Sequence, residues 1–451
     1  MNNKASFLKA KLGWLALFYS ITCGIIYLAI TTQYQPDDQL TYLRVAIFIL
    51  LMPIILKYLV QLFTLPFYSI SERLNARRGQ RQLGKKVSVL IPAWNEEVGI
   101  IKTIQSVVDT EYADLEVIVI NDGSTDNTHK LISSYIELFE TQKQSNTSLK
   151  GIELRYLNLT NGGKANALNR GLRVATGEFI ITIDADSLMD KLAIEKMLLR
   201  FSEPKVGAVA GNVIIGNKSR PIAALQQLEY LYGFFFKRAD SVFNSVYIIG
   251  GAAAAYRKSI LSELGGFDHQ IITEDIEMST RILSAGYKTR YAADAVVYTE
   301  GPSDWNGLCN QRLRWKFGRL LTFIKHKDLF FSAKPKLNPY LTFLLLPMAV
   351  YAELTLMIEG LLLTVFYGYT FLTNDFFPLV FVIGFMSILL TLQIMVDSKR
   401  KHHLNLLVLA PLAWILFYLI DLVEWQALFR SVKRLARRQQ LQWQKWVRVG
   451  L

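Results

Sequence analysis

Five stretches of the chain are too apolar and too long for the surface of a soluble protein, and they fall into two groups. The first group covers residues 12–30 and 45–67, and the second covers residues 340–372, 376–395 and 404–422. Each is long enough to cross a bilayer, which takes about 20 apolar residues as a helix. The run at 340–372 exceeds what one crossing needs, so its start is expected to lie along the membrane surface. A secretory leader also opens on basic residues before an apolar run, as here with Lys4, Lys9 and Lys11. The first run is long, however, no small-residue cleavage site follows it cleanly, and a second apolar run comes soon after. A retained membrane helix is therefore expected.

Between the two groups the pattern changes, from about residue 86 to about residue 327. Short apolar runs at 87–91, 115–120, 152–157 and 179–183 alternate with helical segments such as 127–140 and 164–174. The strand candidates are almost continuously apolar, as parallel strands covered on both faces are. The alternation predicts βαβ units and a doubly wound α/β sheet. The resulting division is residues 1–75 as two N-terminal membrane helices, 76–327 as an α/β domain with interfacial helices, 328–425 as about three membrane segments, and 426–451 as a basic tail.

Charge adds an orientation. The 451 residues carry 50 basic and 37 acidic side chains, a net charge of +13, and 51% of them are hydrophobic. The basic residues cluster beside the apolar runs, as in Arg77, Arg78, Arg81, Lys85 and Lys86, and in Arg430, Lys433, Arg434, Arg437 and Arg438. That is the distribution of cytoplasmic loops and membrane surfaces, and no nucleic-acid-binding module accompanies it. The link holding Asp37 and Asp38 has little basic charge, so the N-terminus and the segment after residue 67 are both expected in the cytoplasm. Residues 397–403 read as cytoplasmic too. Parity then puts the tail outside after a fifth crossing, although the tail is strongly basic. A re-entrant last segment, or an extra crossing within 340–372, would remove that conflict. The two cysteines, Cys23 and Cys309, fit neither a disulfide framework nor a zinc site.

In open α/β sheets ligands bind beyond the carboxyl ends of the strands. Three strand candidates end in polar clusters: Pro92-Ala93-Trp94-Asn95-Glu96, Asn121-Asp122-Gly123-Ser124 and Asp184-Ala185-Asp186. Asp-Gly-Ser alone is more often a turn than a site. Asp184 and Asp186 follow an apolar strand and suit a hard cation such as Mg²⁺ or Mn²⁺ completed by phosphate oxygens, or else a solvated strand end. Thr273-Glu274-Asp275 reads either as a helix cap or as a place for a general base. Asn161-Gly162-Gly163-Lys164 lacks the Ser or Thr of a P-loop but can bring Lys164 to an anion. Gly250-Gly251-Ala252-Ala253 is either a close-packed turn or a place where ligand nears backbone. Gln311, Arg314 and Trp315 share one face of an amphipathic helix at i, i+3 and i+4, where Arg can pair with phosphate and Trp can stack on a sugar.

Read in order, Ile91-Pro92-Ala93-Trp94-Asn95-Glu96, Asn121-Asp122-Gly123-Ser124-Thr125-Asp126, Gly163-Lys164, Asp184-Ala185-Asp186, Thr273-Glu274-Asp275 and Gln311-Arg312-Leu313-Arg314-Trp315 resemble the processive, membrane-integrated family 2 glycosyltransferases. These include cellulose, chitin, hyaluronan and poly-N-acetylglucosamine synthases. The size and the spacing of apolar runs look most like the bacterial poly-β-1,6-N-acetylglucosamine subgroup. The resemblance implies a GT-A fold and an inverting reaction on a UDP-sugar, in the leading case UDP-N-acetylglucosamine, with a growing polysaccharide as acceptor. It puts Pro92, Ala93, Glu96, Asp122, Lys164, Asp184, Gln311, Arg312 and Arg314 at the donor, and Glu274 and Trp315 at the acceptor. Asp186 takes the Mg²⁺ or Mn²⁺, and Asp275 is the base. It further implies a multi-pass inner (plasma) membrane protein with a cytoplasmic catalytic domain and a channel between its helices, and it allows for a separate small membrane subunit. Alternatives are another sugar or linkage, a non-processive lipid glycosyltransferase, or a transporter with a nucleotide-binding domain. The last has no need of Asp275 together with the Gln311 helix. Charge in an apolar run is costly, so at least one of Glu353 and Glu359 is expected to face protein or a polar path.

Overall fold

The computed structural model describes residues 2–35, 37–145, 149–217, 221–441 and 448–451. Helices α1 (Asn2–Thr31) and α2 (Asp38–Gly79) precede an α/β domain. Its elements are β1 (Val87–Ala93), α3 (Ile100–Val108), β2 (Leu115–Asp122), α4 (Thr128–Ser145), β3 (Ile152–Leu159), α5 (Lys164–Val174), β4 (Phe179–Thr182), β5 (Ser187–Met189), α6 (Ala193–Leu198), β6 (Val206–Ile215), α7 (Pro221–Val242), β7 (Ala254–Arg257), α8 (Lys258–Glu263), α9 (Glu274–Ser284), β8 (Lys288–Thr299) and α10 (Trp305–Lys325). Four further helices follow: α11 (Leu346–Thr373), α12 (Phe377–Val396), α13 (Arg400–His403) and α14 (Ala413–Ala436).

The strand order is β3-β2-β1-β4-β7-β6-β8-β5. The first four strands pair in parallel, as the apolar runs predict. Their two faces feed separate cores, with Ile91, Ile104 and Val117 on one side and Leu90, Ile118 and Leu168 on the other. Beyond β4 the sheet is mixed: β7 runs antiparallel to both β4 and β6, and β5 runs antiparallel to β8. That half departs from a uniformly parallel doubly wound sheet. The result is a GT-A-type α/β domain set between long apolar helices.

Among the described residues, four helical stretches are long and apolar enough to cross a membrane: Thr41–Gln82, Tyr340–Thr373, Phe377–Val396 and Arg400–Ala436. The described apolar part of α1, Leu15–Thr31, is shorter. Phe63, Leu361, Phe377 and Ile388 are each more than 60% exposed, which apolar side chains tolerate when lipid covers them. Glu353 faces protein as expected, buried against Lys316 and Arg319.

The last apolar stretch does not run straight. The chain leaves the α/β domain at Ser398 and Lys399, whose side chains bond the Ala293 carbonyl and Asp190. It descends as a 3-10 segment, Leu404–Leu412, with Ala410 accepting from Ser387 of α12. At Trp414 it reaches Thr22 of α1, and α14 then turns back, so that Glu424 meets Lys316 of α10 at 2.5 Å. Both ends of this stretch therefore lie against the α/β domain.

Candidate active site

The carboxyl ends of β1, β2 and β4 open into a cavity of about 530 Å³, within the range of small-ligand sites. Pro92 and Ala93 line it at the end of β1 with Glu96 just beyond, Asp122 at the end of β2, and Asp184 and Asp186 after β4. The start of α5 contributes Lys164, the start of α9 contributes Glu274 and Asp275, and α10 contributes Gln311, Arg314 and Trp315.

Asp122 acts on the loop beside it. Its two carboxylate oxygens accept from the Gly162 and Gly163 amides at 2.9 and 2.8 Å. Gly163 sits at φ 86° and ψ 159°, a conformation open essentially to glycine alone. This turn starts α5 so that Lys164 reaches the centre of the cavity. There its Nζ contacts Asp184 at 2.6 Å and Glu274 at 3.2 Å. Burial opposes the charged ammonium, but Asp184, Glu274 and Asp275 outweigh it and hold Lys164 protonated. Burial also works against ionised Asp184, yet Lys164, Arg314 and Arg448 more than compensate and keep its carboxyl below the usual range. Glu274 moves the other way: burial dominates and raises it in spite of Lys164.

Asp275 is held by backbone. One oxygen accepts from the Gly251 amide at 2.7 Å and the other from the Ile276 amide at 2.8 Å. A Cβ at Gly251 would come 2.9 Å from the Lys164 Nζ, so glycine is what lets the backbone approach so closely. Glu274 opens α9 and Asp275 faces the cavity, while the Thr273 side chain at the N-cap makes no capping hydrogen bond.

On α10 the spacing argument is realised, with Gln311, Arg314 and Trp315 on the cavity side. Burial lowers the Arg314 guanidinium against the pull of Asp184, Glu274 and Asp275. Arg312 does not line the cavity itself but sits directly behind its wall. It is 2% exposed, paired with Glu229 and with Glu424 at 3.5 Å, and stacked 4.3 Å from the Trp315 ring centre. In this structure it positions the tryptophan.

Asp186 is buried, and its Oδ2 meets the guanidinium of Arg448 while Oδ1 accepts from Ser187 at 3.1 Å. Among the described residues no three His, Cys, Asp or Glu side chains gather into a protein-only metal cage. A buried carboxylate already facing a positive group, in a cavity that also holds Asp184, Lys164 and Arg314, fits a divalent ion that would take its remaining ligands from a nucleotide.

Against known proteins, the sequence matches glycosyl transferase family 2 over residues 88–265 and glycosyl transferase family group 2 over residues 179–426. The second match covers more than half of the chain. The chain belongs to glycosyl transferase family group 2. It is similar to a poly-beta-1,6-N-acetyl-D-glucosamine synthase of Staphylococcus epidermidis, 33% identical over 60% of this chain and 64% of the relative. A synthase of the same name from Staphylococcus aureus strain COL is 34% identical over 56% of this chain and 58% of its own length. The matched region thus spans about three fifths of these relatives. A mannosyltransferase of Pyrobaculum calidifontis, solved in complex with GDP-Man and Mn²⁺, superposes with a TM-score of 0.48 at 21% identity, covering 81% of this chain and 99% of that one.

Three residues of this family member's site lie outside the sequence motifs. Glu300 follows β8 as the aspartates follow β4, so the strand-end rule that flags Asp184 applies to it as well. Lys237 of α7 lines the cavity, and burial pushes it down to about 8 against the pull of Asp240 and Asp275. Arg448 carries no local signal at all.

Proposed function

We propose that the protein is an inverting glycosyltransferase that lengthens a polysaccharide at a membrane, taking N-acetylglucosamine from UDP-N-acetylglucosamine. The observation that carries this reading is the meeting of Lys164, Asp184, Asp186, Asp275, Arg314 and Trp315 in one cavity. The sugar is supported by the names of the relatives.

In the reaction the acceptor oxygen forms a bond to the anomeric carbon while the bond from that carbon to the diphosphate oxygen breaks. The electron pair leaves with the nucleoside diphosphate, and the acceptor proton passes to Asp275. The Gly251 and Ile276 amides fix the Asp275 carboxylate and leave it further lone pairs for that proton. Lys164 and Arg314 are the fixed positive charges for the diphosphate, in surroundings too dry to screen them. Trp315, steadied by Arg312, offers a flat face to the acceptor sugar. A divalent ion held by Asp186 would add neutralising charge for the leaving group.

The same reading makes this a multi-pass plasma-membrane protein with its α/β domain in the cytoplasm, supported by the basic flanks on the domain side. The test is turnover in membrane vesicles supplied with UDP-N-acetylglucosamine, UDP-glucose or UDP-glucuronate and Mg²⁺ or Mn²⁺, with and without co-expressed small membrane subunits. Metal-dependent UDP release and a polymer from the first donor are expected, with a loss of about 10²–10⁴-fold in Asp275→Asn. Use of another donor would overturn the sugar, and full activity of Asp275→Asn would overturn the assignment of the base.

A further inference from the structure

Residues 448–451 occupy the cavity rim through contacts that nothing in the reaction above requires. The Arg448 guanidinium forks onto Glu96, with Nε donating to one oxygen at 3.1 Å and Nη2 to the other at 2.8 Å. Its Nη1 pairs with Asp186 Oδ2. The Val449 and Gly450 amides donate to the two oxygens of Glu300 at 2.6 and 3.1 Å. The Leu451 carbonyl accepts from Lys102, and the Leu451 side chain packs on Gly216, where an added Cβ would lie 2.6 Å from it. The Arg448 side chain is only 10% exposed, and those of Glu96 and Asp186 are similarly enclosed.

A guanidinium stays charged at any ordinary pH and has no lone pair for a metal. It therefore cannot share Asp186 Oδ2 with a divalent ion, since the two compete for one oxygen and repel each other. The anchoring is divided in a way that lets the head release alone. Glu300 grips backbone amides, whatever the side chain, while Arg448 reaches Asp186 through its outermost nitrogen.

We propose that residues 448–451 form an intramolecular plug in which Arg448 holds the metal-binding carboxylate shut, so that binding of a divalent cation with a nucleoside diphosphate requires the guanidinium to leave Asp186. This rests on the reading of Asp186 as the metal ligand. The plugged fraction weakens apparent metal affinity by the same factor by which it reduces the competent population.

The test uses the full chain in lipid nanodiscs and measures bound Mn²⁺ by electron paramagnetic resonance, with and without UDP, for wild type, Arg448→Gln, Glu300→Gln and Asp186→Asn. Arg448→Gln is expected to tighten Mn²⁺ binding at least about fivefold, and Glu300→Gln, which loosens the backbone anchor, to tighten it less. A spin label at Leu451→Cys is expected to gain mobility when Mn²⁺ and UDP are added together. If Asp186→Asn abolishes Mn²⁺ binding but Arg448→Gln leaves it unchanged or weaker, the plug is overturned and the metal assignment stands. If Asp186→Asn binds Mn²⁺ as wild type does, the assignment falls and the plug falls with it.

Discussion

Replacing Lys164 by methionine keeps the length of the side chain and removes one charge from the centre of the cavity. The ammonium touches Asp184 at 2.6 Å and Glu274 at 3.2 Å, and the Glu274 side chain is only 5% exposed. Removing one partner of a buried ion pair costs about 3–5 kcal/mol. Asp184 is about a third exposed, so the lower end, about 3 kcal/mol near pH 8, applies here. For a domain of this size that corresponds to a fall of roughly 6–12 °C in melting temperature. The sign with pH follows from the carboxylates. Without Lys164 both take up protons more readily folded than unfolded, so the folded mutant gains stability as pH falls. The deficit is expected to be large at pH 8 and clearly smaller at pH 5, read by fluorescence-detected melting of both proteins in the same detergent. A deficit of equal size at the two pH values would refute the electrostatic account and leave packing as the cause.

Three further outcomes follow from other parts of the molecule. Glu277 is buried, and although burial alone would raise it, His326, Arg281 and Lys325 bring it down from 4.5 to about 2. Its stabilisation is complete above pH 4.5 and is lost as pH falls towards 2, by about 3 kcal/mol in total. Acid melting curves of Glu277→Gln are expected to lack that component. Gly251→Ala is expected to displace Lys164 and lower turnover by about 10²-fold, with thermal stability largely kept, as assayed by UDP release and melting. Glu353→Leu strands Arg319 and leaves Lys316 with Glu424, costing about 3 kcal/mol. Unchanged melting would mean that this buried cluster relaxes towards water.

The half of the fold that local patterning governs was the half legible in the sequence. Apolar residues dominate β1, β2 and β4, and α5 occupies the 164–174 expected for it, because a glycine turn and an amphipathic repeat mark its ends. The later strands were missed for an equally local reason: β6 reads Val-Gly-Ala-Val-Ala-Gly, and β5 has only three residues. Hydropathy also cannot tell a crossing from a path that enters and returns, whereas the contacts of Trp414 and Glu424 show that the last apolar stretch bends back towards the α/β domain. At the site, the strand ends and the helical spacing on α10 brought most of the cavity together in advance. Arg312 lay within the motif, but only the structure shows that it sits behind the cavity wall, against the lining residues Glu229 and Glu424. Arg448 meets Glu96 across 352 residues, a distance over which no sequence period carries information.

The long helix α2 has a mechanical consequence. At about 1.5 Å per residue its 42 residues extend about 63 Å, roughly twice the hydrocarbon thickness of a bilayer. Its lower part therefore stands clear of lipid, where the Tyr68 hydroxyl donates to the Tyr291 carbonyl at 3.0 Å and Glu72 pairs with Arg200. The sheet is thus fastened directly to this helix, just beyond its internal Pro66. A bilayer that is thinner or thicker than the apolar part of the helix tilts it, and the tilt reaches β8 directly.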